Sequence, residues 1–188
     1  MIFHKQVLTG VFPSVLVLLL HYSTEFVVMG QPPYSFVGGP GGDPTTNTVE
    51  GDFTFIGAGV SNTASGTGSA VVAGSSNTAA GFDSFVGAGQ GNNAEGGVSG
   101  VVAGYNNVAT GKASVIIGGN SNTASGDVDS VIIGGESNTA SGDYSIAMGI
   151  KADASMDRSL VINLGKKSLG DNKVSRSKGK ASSIQKGG

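Results

Sequence analysis

The stretches SVIIGGNSNTASGDVD (114–129) and SVIIGGESNTASGDY (130–144) repeat one another almost residue for residue. In register before them lie TFIGAGVSNTASGTG (54–68), SAVVAGSSNTAAGFD (69–83), SFVGAGQGNNAEGGV (84–98) and SGVVAGYNNVATGKA (99–113). After them come SIAMGIKADASMDR (145–158) and the partial unit SLVINLG (159–165). The period is 15 residues, with one unit of 16 and one of 14. Self-similarity at a short fixed period marks a chain in which each unit is one structural coil that buries its apolar face only by stacking on its neighbours.

Each unit divides in two. The first half is short, apolar and β-branched, as in Val115-Ile116-Ile117 and Val131-Ile132-Ile133, and predicts a strand of about four or five residues. The second half, SNTASG or a relative of it, is rich in residues that accept positive φ and predicts the turn. The fold expected is all-β: a parallel β-solenoid of about seven small coils over residues 54–165, stacked at ~4.8 Å per coil. The recurrent alanines (Ala64, Ala79, Ala94, Ala109, Ala124, Ala140, Ala154) are predicted to point inward, where a small coil has no room for more. Glycines at the strand end (Gly59, Gly74, Gly89, Gly104, Gly119, Gly135, Gly149) mark a corner. The asparagine row (Asn62, Asn77, Asn92, Asn107, Asn122, Asn138) is either a ladder bonding neighbouring coils or a row facing a ligand.

Composition supports a repeat fold over a conventional core. Glycine makes up 33 of 188 residues, aromatics 6% and charged residues 13%, against an ordinary glycine content of ~7%. The formal net charge of −2 hides an asymmetry. Residues 31–164 carry eleven acids against three bases, a net of −8, and residues 165–188 carry seven bases against Asp171 alone, a net of +6.

The flanks differ from the repeats. His4 and Lys5 precede an apolar run from Val7 to Leu20, short for a membrane span of ~20 residues and suited to a signal peptide, residues 1–30, cut before Gln31. A retained anchor is the alternative, because apolar residues resume at Phe26-Val27-Val28-Met29. Residues 31–53, with Pro32, Pro33 and Pro40, read as a Gly/Pro/Thr-rich leader or cap. Within them Gly38–Asp43 match a calcium-binding GGxGxD pattern once. Such sites need consecutive copies, so this is read as a glycine-rich loop. Residues 166–188 read as a basic disordered tail, with an electrostatic tether as the functional alternative.

The repeats resemble the head repeats of trimeric autotransporter adhesins, the YadA-like family. Ser145-Ile146-Ala147-Met148-Gly149 with Ala152 and Ala154 is similar to the family pattern of Ser, alternating hydrophobics and Ala, then Gly. The other units fit with one added residue and a bulkier third position, as in Ser114-Val115-Ile116-Ile117-Gly118. The resemblance covers residues 54–165. It implies a left-handed β-roll, side-by-side trimerisation, and adhesion by an exposed face rather than a pocket. The family's coiled-coil stalk and membrane anchor have no counterpart in residues 166–188.

Several chemistries lack their residues. The histidines, His4 and His21, lie in or beside the signal-like segment, and there is no cysteine. Nucleophile–histidine pairs and the usual zinc or copper sites are therefore not expected. Asp83, Asp127, Asp129 and Asp143 fall at turns, and the abundant GxG patterns arise from the repeat itself. No catalytic, cofactor or metal site is assigned, and no enzyme is expected. The expected function is a secreted structural or adhesive protein that binds extracellular surfaces, matrix or polysaccharide. The alternative is an insoluble matrix protein associated with a mineral or, less favoured, an ice surface. Nucleic acid is not expected as a partner, nor is a membrane span after signal cleavage.

A homotrimer is expected on a further ground. Strand alternation predicts Val131, Ile133 and Ala140 inward, which leaves Val71, Val86, Val101, Ile116 and Ile132 outward as one apolar stripe.

Overall fold

The computed structural model describes residues 15–18, 27–30, 35–38 and 46–165. The repeats form a parallel β-solenoid with two sheets running its length. Each coil contributes one short strand to each sheet. In coil 69–83 these are Ala70–Val71 and Thr78–Ala79. The next coil repeats them one period on, with Ala70 opposite Phe85 and Thr78 opposite Asn93. The second sheet has eight strands, all parallel, from Thr48–Val49 to Asp153–Ala154. The first has nine parallel strands from Phe36–Val37 to Leu160–Asn163. At ~4.8 Å per rung that sheet is about 38 Å long.

Two expectations change here. Most first-half strands pair over two residues instead of four or five; only Val131–Glu136, Ile146–Ile150 and Leu160–Asn163 are longer. The second half is also more than a turn, because its Thr-Ala pair forms the second sheet. A coil of 15 residues must change direction several times, which leaves only brief flat segments between corners. A further column of isolated parallel bridges runs through Val60, Ser75, Gln90, Tyr105, Asn120 and Glu136.

The corners explain the glycines. Gly74 has φ +107, and a Cβ built there would lie 2.2 Å from the Gly89 carbonyl oxygen of the next coil. Both the dihedral and the close approach of backbones exclude a side chain. The predicted corner row holds throughout, including Gly149 in the 14-residue unit, with φ +109.

The solenoid begins before Thr54. Phe36–Val37 pair in parallel with Phe55–Ile56, and Thr48–Val49 with Thr63–Ala64, so parts of the leader 31–53 supply the first rungs. Beyond Phe36–Val37 the first sheet is extended antiparallel by Val27–Gly30 and then Val15–Leu18. The rest of the signal-like segment, residues 39–43 of the GGxGxD match and the basic tail 166–188 lie outside the described residues. Among the described residues, no helix is long and apolar enough to cross a membrane.

The interior corrects the strand alternation. Ile56, Val71, Val86, Val101, Ile116 and Ile132 are fully buried and form the core with the alanine row. Val131 is half-buried and Ile133 exposed. The stripe assigned outward is therefore the core spine, and the residues on either side of it face out. Ala140 is inward, as expected.

Candidate functional surfaces

The asparagine row faces inward and is a structural ladder. Each Asn follows a residue of positive φ, such as Ser76 at φ 55, which turns the Asn side chain into the coil. Asn77 Nδ2 donates to the Ala73 carbonyl at 3.2 Å, to the Gly89 carbonyl at 2.9 Å and to Asn62 Oδ1 at 3.2 Å. Asn77 Oδ1 accepts the Asn92 backbone N–H at 3.0 Å. The pattern recurs to Asn138, whose Oδ1 accepts the Ala152 N–H at 2.8 Å. The ladder also has a member that the repeat alignment missed: Asn47 Oδ1 accepts the Asn62 N–H at 2.9 Å. Asn47-Thr48-Val49 is a weakened SNTA half-unit, a signal the Pro- and Gly-rich surroundings concealed.

A second interior column carries the serines that open each unit. Ser69, Ser84, Ser99, Ser114, Ser130 and Ser145 are buried, and among the described residues their hydroxyls meet no hydrogen-bond partner from the protein. Thr54, at the same place, donates its Oγ1 to the Gly51 carbonyl at 3.2 Å. The column lies inside the wall, so it offers no route to a solute.

Among the described residues, the outward faces of the two sheets differ in chemistry. The outer face of the first sheet is apolar: Phe55, Val72, Phe85, Val102, Ile117 and Ile133 are each between 39% and 48% exposed. The outer face of the second sheet carries Thr63, Thr78, Asn93, Val108, Thr123 and Thr139 in one register row. Two residues along, Ser65, Ala80, Glu95, Thr110, Ser125 and Ser141 form a parallel row. The corner joining the second sheet to the next coil's first strand gathers the turn acids. Asp143 donates its backbone N–H to Asp157 Oδ1 at 3.0 Å, and Val128 donates to Asp143 Oδ1 at 3.2 Å. These carboxylates satisfy neighbouring turns, one coil to the next. Among the described residues, no three His, Cys, Asp or Glu side chains converge as a metal site.

No family model matches this chain, and no curated protein matches it significantly.

Proposed function

We propose that this protein is an exported, non-enzymatic structural or adhesive component that binds extracellular surfaces or matrix along its solenoid faces and works as a homotrimer. The observation that carries this reading is the form of its outward chemistry. Side chains recur in straight rows at the coil period on two sheet faces, an arrangement suited to extended partners such as matrix polymers or other surfaces. The signal-like segment supports export, and the resemblance to YadA-like heads supports adhesion and threefold association. The lack of histidine and cysteine after residue 30 supports a non-catalytic role.

Fractionation of the native source tests export. The expected result is mature protein outside the cell, starting near Gln31; recovery only from cytosol with residues 1–30 intact would overturn it. Adhesion is tested with the full chain on immobilised matrix polysaccharide, carbonate and silica, where retention on at least one is expected and retention on none contradicts the reading.

One observation favours a second reading. The row of Thr63, Thr78, Thr123 and Thr139, flanked by Ser65, Ser125 and Ser141, presents hydroxyls at a fixed lattice spacing. That suits an insoluble matrix protein held on a mineral or, less well, an ice surface. Asn93, Val108 and Glu95 interrupt it. Adsorption to carbonate or silica that is lost when Thr123 and Thr139 become Lys would select this reading over general adhesion.

A further inference from the structure

We propose that copies of this chain assemble through the outer face of the first sheet, burying its apolar rows at their shared interface. This rests on the reading that the chain self-associates, and it assigns the interface to a different set of residues from the one the sequence suggested. The two outward columns of that sheet run from Phe55 and Gly57 to Leu160 and Ile162, and every residue in them is apolar or glycine.

The relief of the face argues for a flat occupant. Where one column has phenylalanine, the other has glycine. A Cβ built on Gly57 would lie 3.1 Å from the Phe55 ring, and one on Gly87 would lie 3.3 Å from the Phe85 ring. Each ring thus lies over its own glycine, and the face is levelled instead of pitted. A levelled sheet face suits another sheet face, packed at ~10 Å.

Area and charge then choose the partner. A length of about 34 Å and a width of about 10 Å give a footprint of roughly 340 Å², within the ~300–600 Å² of the largest apolar patches on ordinary monomers. Protruding side chains enlarge the accessible area, so two such faces bury on the order of 1,000 Å², the threshold of a specific interface. Residues 31–164 carry a net charge of −8, so two copies repel wherever acids oppose. Asp83, Asp127, Asp129, Asp143 and Asp157 line the corner, and Glu95 and Asp153 lie on the second sheet. The two outward columns of the first sheet carry no charge from Phe55 to Ile162, with Glu136 exposed only at the far end of Val131–Glu136, so copies can approach along the columns without opposing carboxylates.

The test uses the full chain in solution, with mass measured by light scattering and folding by far-UV circular dichroism. The wild type is expected at a multiple of the 18.5 kDa chain mass. The double variant Ile117→Lys/Ile133→Lys is expected to fall to one chain with its β spectrum retained. The control Ser76→Lys/Ser121→Lys places lysines on an exposed corner where Lys151 already holds the same positive φ, and should keep the wild-type mass. If the apolar-face variant unfolds, single cysteines decide, because the chain has none of its own. Val102→Cys or Ile117→Cys should form interchain disulfides on mild oxidation, and Ser121→Cys should not. A wild type that is monomeric, a lysine variant that folds with unchanged mass, or crosslinking from Ser121→Cys alone would overturn the proposal. So would a monomer whose Ile117→Lys/Ile133→Lys form only loses binding to phosphatidylcholine vesicles, since a lipid surface would then be the occupant. An assembly of other than three chains that still comes apart in the lysine variant removes the trimer and leaves the interface standing. Unchanged assembly without adhesion to any surface removes the adhesive role alone.

Discussion

At the scale of single residues, two buried polar columns make opposite demands. Asn107 Nδ2 donates to Ala103 and Gly119 carbonyls and to Asn92 Oδ1, and its Oδ1 accepts both the N–H and the Nδ2 of Asn122. Asn107→Ala strands several buried groups at once and should cost on the order of 3 kcal/mol or more. Ser114→Ala removes a buried hydroxyl that meets no partner among the described residues and should lie within about 0.5 kcal/mol of wild type. Urea denaturation of the two variants checks the ranking, and equal losses would refute it. Val98 poses a different problem, a β-branched residue at φ 58, where side chains of L-residues cost ~1–2 kcal/mol. Asp83 and Asp129 hold the same corner position at φ 50. Val98→Asn should therefore raise the melting temperature by a few degrees, about 1 kcal/mol; a fall would show that Val98 is held by contacts of its own. The asparagine row was visible in the sequence, but its direction was not, because a stacked ladder and an exposed row have the same period. What decides it is the positive φ of the preceding residue, which neither Ser76 nor Ser121 announces.

At the scale of the element, the corner absorbs the added residue of the 16-residue unit, whereas the 14-residue unit is shortened within the first strand, where the register shifts between Ile132 and Gly134. In the 16-residue unit, Val128 bridges Lys112 and Asp129 donates its N–H to the Lys112 carbonyl at 3.0 Å, so these two hold the last two places of the coil. Asp127 is the extra residue. Deleting Asp127 restores the 15-residue period and should leave the dichroism spectrum and melting temperature at or above wild type. Deleting Asn122 shifts the ladder and the second strand together and should abolish folding. Thermal melts of both deletions check this, and similar outcomes for the two would contradict the assignment. The alternation of the first strand is not legible in Val115-Ile116-Ile117, because period-2 reasoning has no purchase on three β-branched residues in a row. Comparing units would have settled it. Ile56, Val71, Val86, Val101, Ile116, Ile132 and Ala147 never give way to glycine, whereas the next place alternates Gly57, Val72, Gly87, Val102. A close-packed interior leaves no unfilled rung, so the column without glycine is the inner one.

At the scale of the whole molecule, the fold was legible because one strong signal, the 15-residue period, fixes strand stacking directly. The start of the solenoid was not, because Phe36–Val37 and Thr48–Val49 are separated by a longer segment than any later unit contains. The surfaces were less legible still, since inside and outside depend on a phase of one residue. Charge acts on the entire rod. Acids stacked along one corner repel at low ionic strength, so melting temperature should rise between about 0.01 M and about 0.15 M salt as the Debye length shrinks from ~30 to ~8 Å. A melting temperature independent of salt would show that the corner carboxylates are balanced locally. The claim on which the rest depends is that Ile116 and its equivalents form the spine, and their neighbours the outer face. Urea unfolding of the single variants Ile116→Lys and Ile117→Lys, followed by far-UV circular dichroism, tests it one residue apart. A lysine at 116 should leave no cooperative β transition, because an unpaired charge would stand in a fully buried column. A lysine at 117 should unfold cooperatively from a wild-type spectrum. A folded Ile116→Lys beside an unfolded Ile117→Lys would reverse the faces and contradict the account.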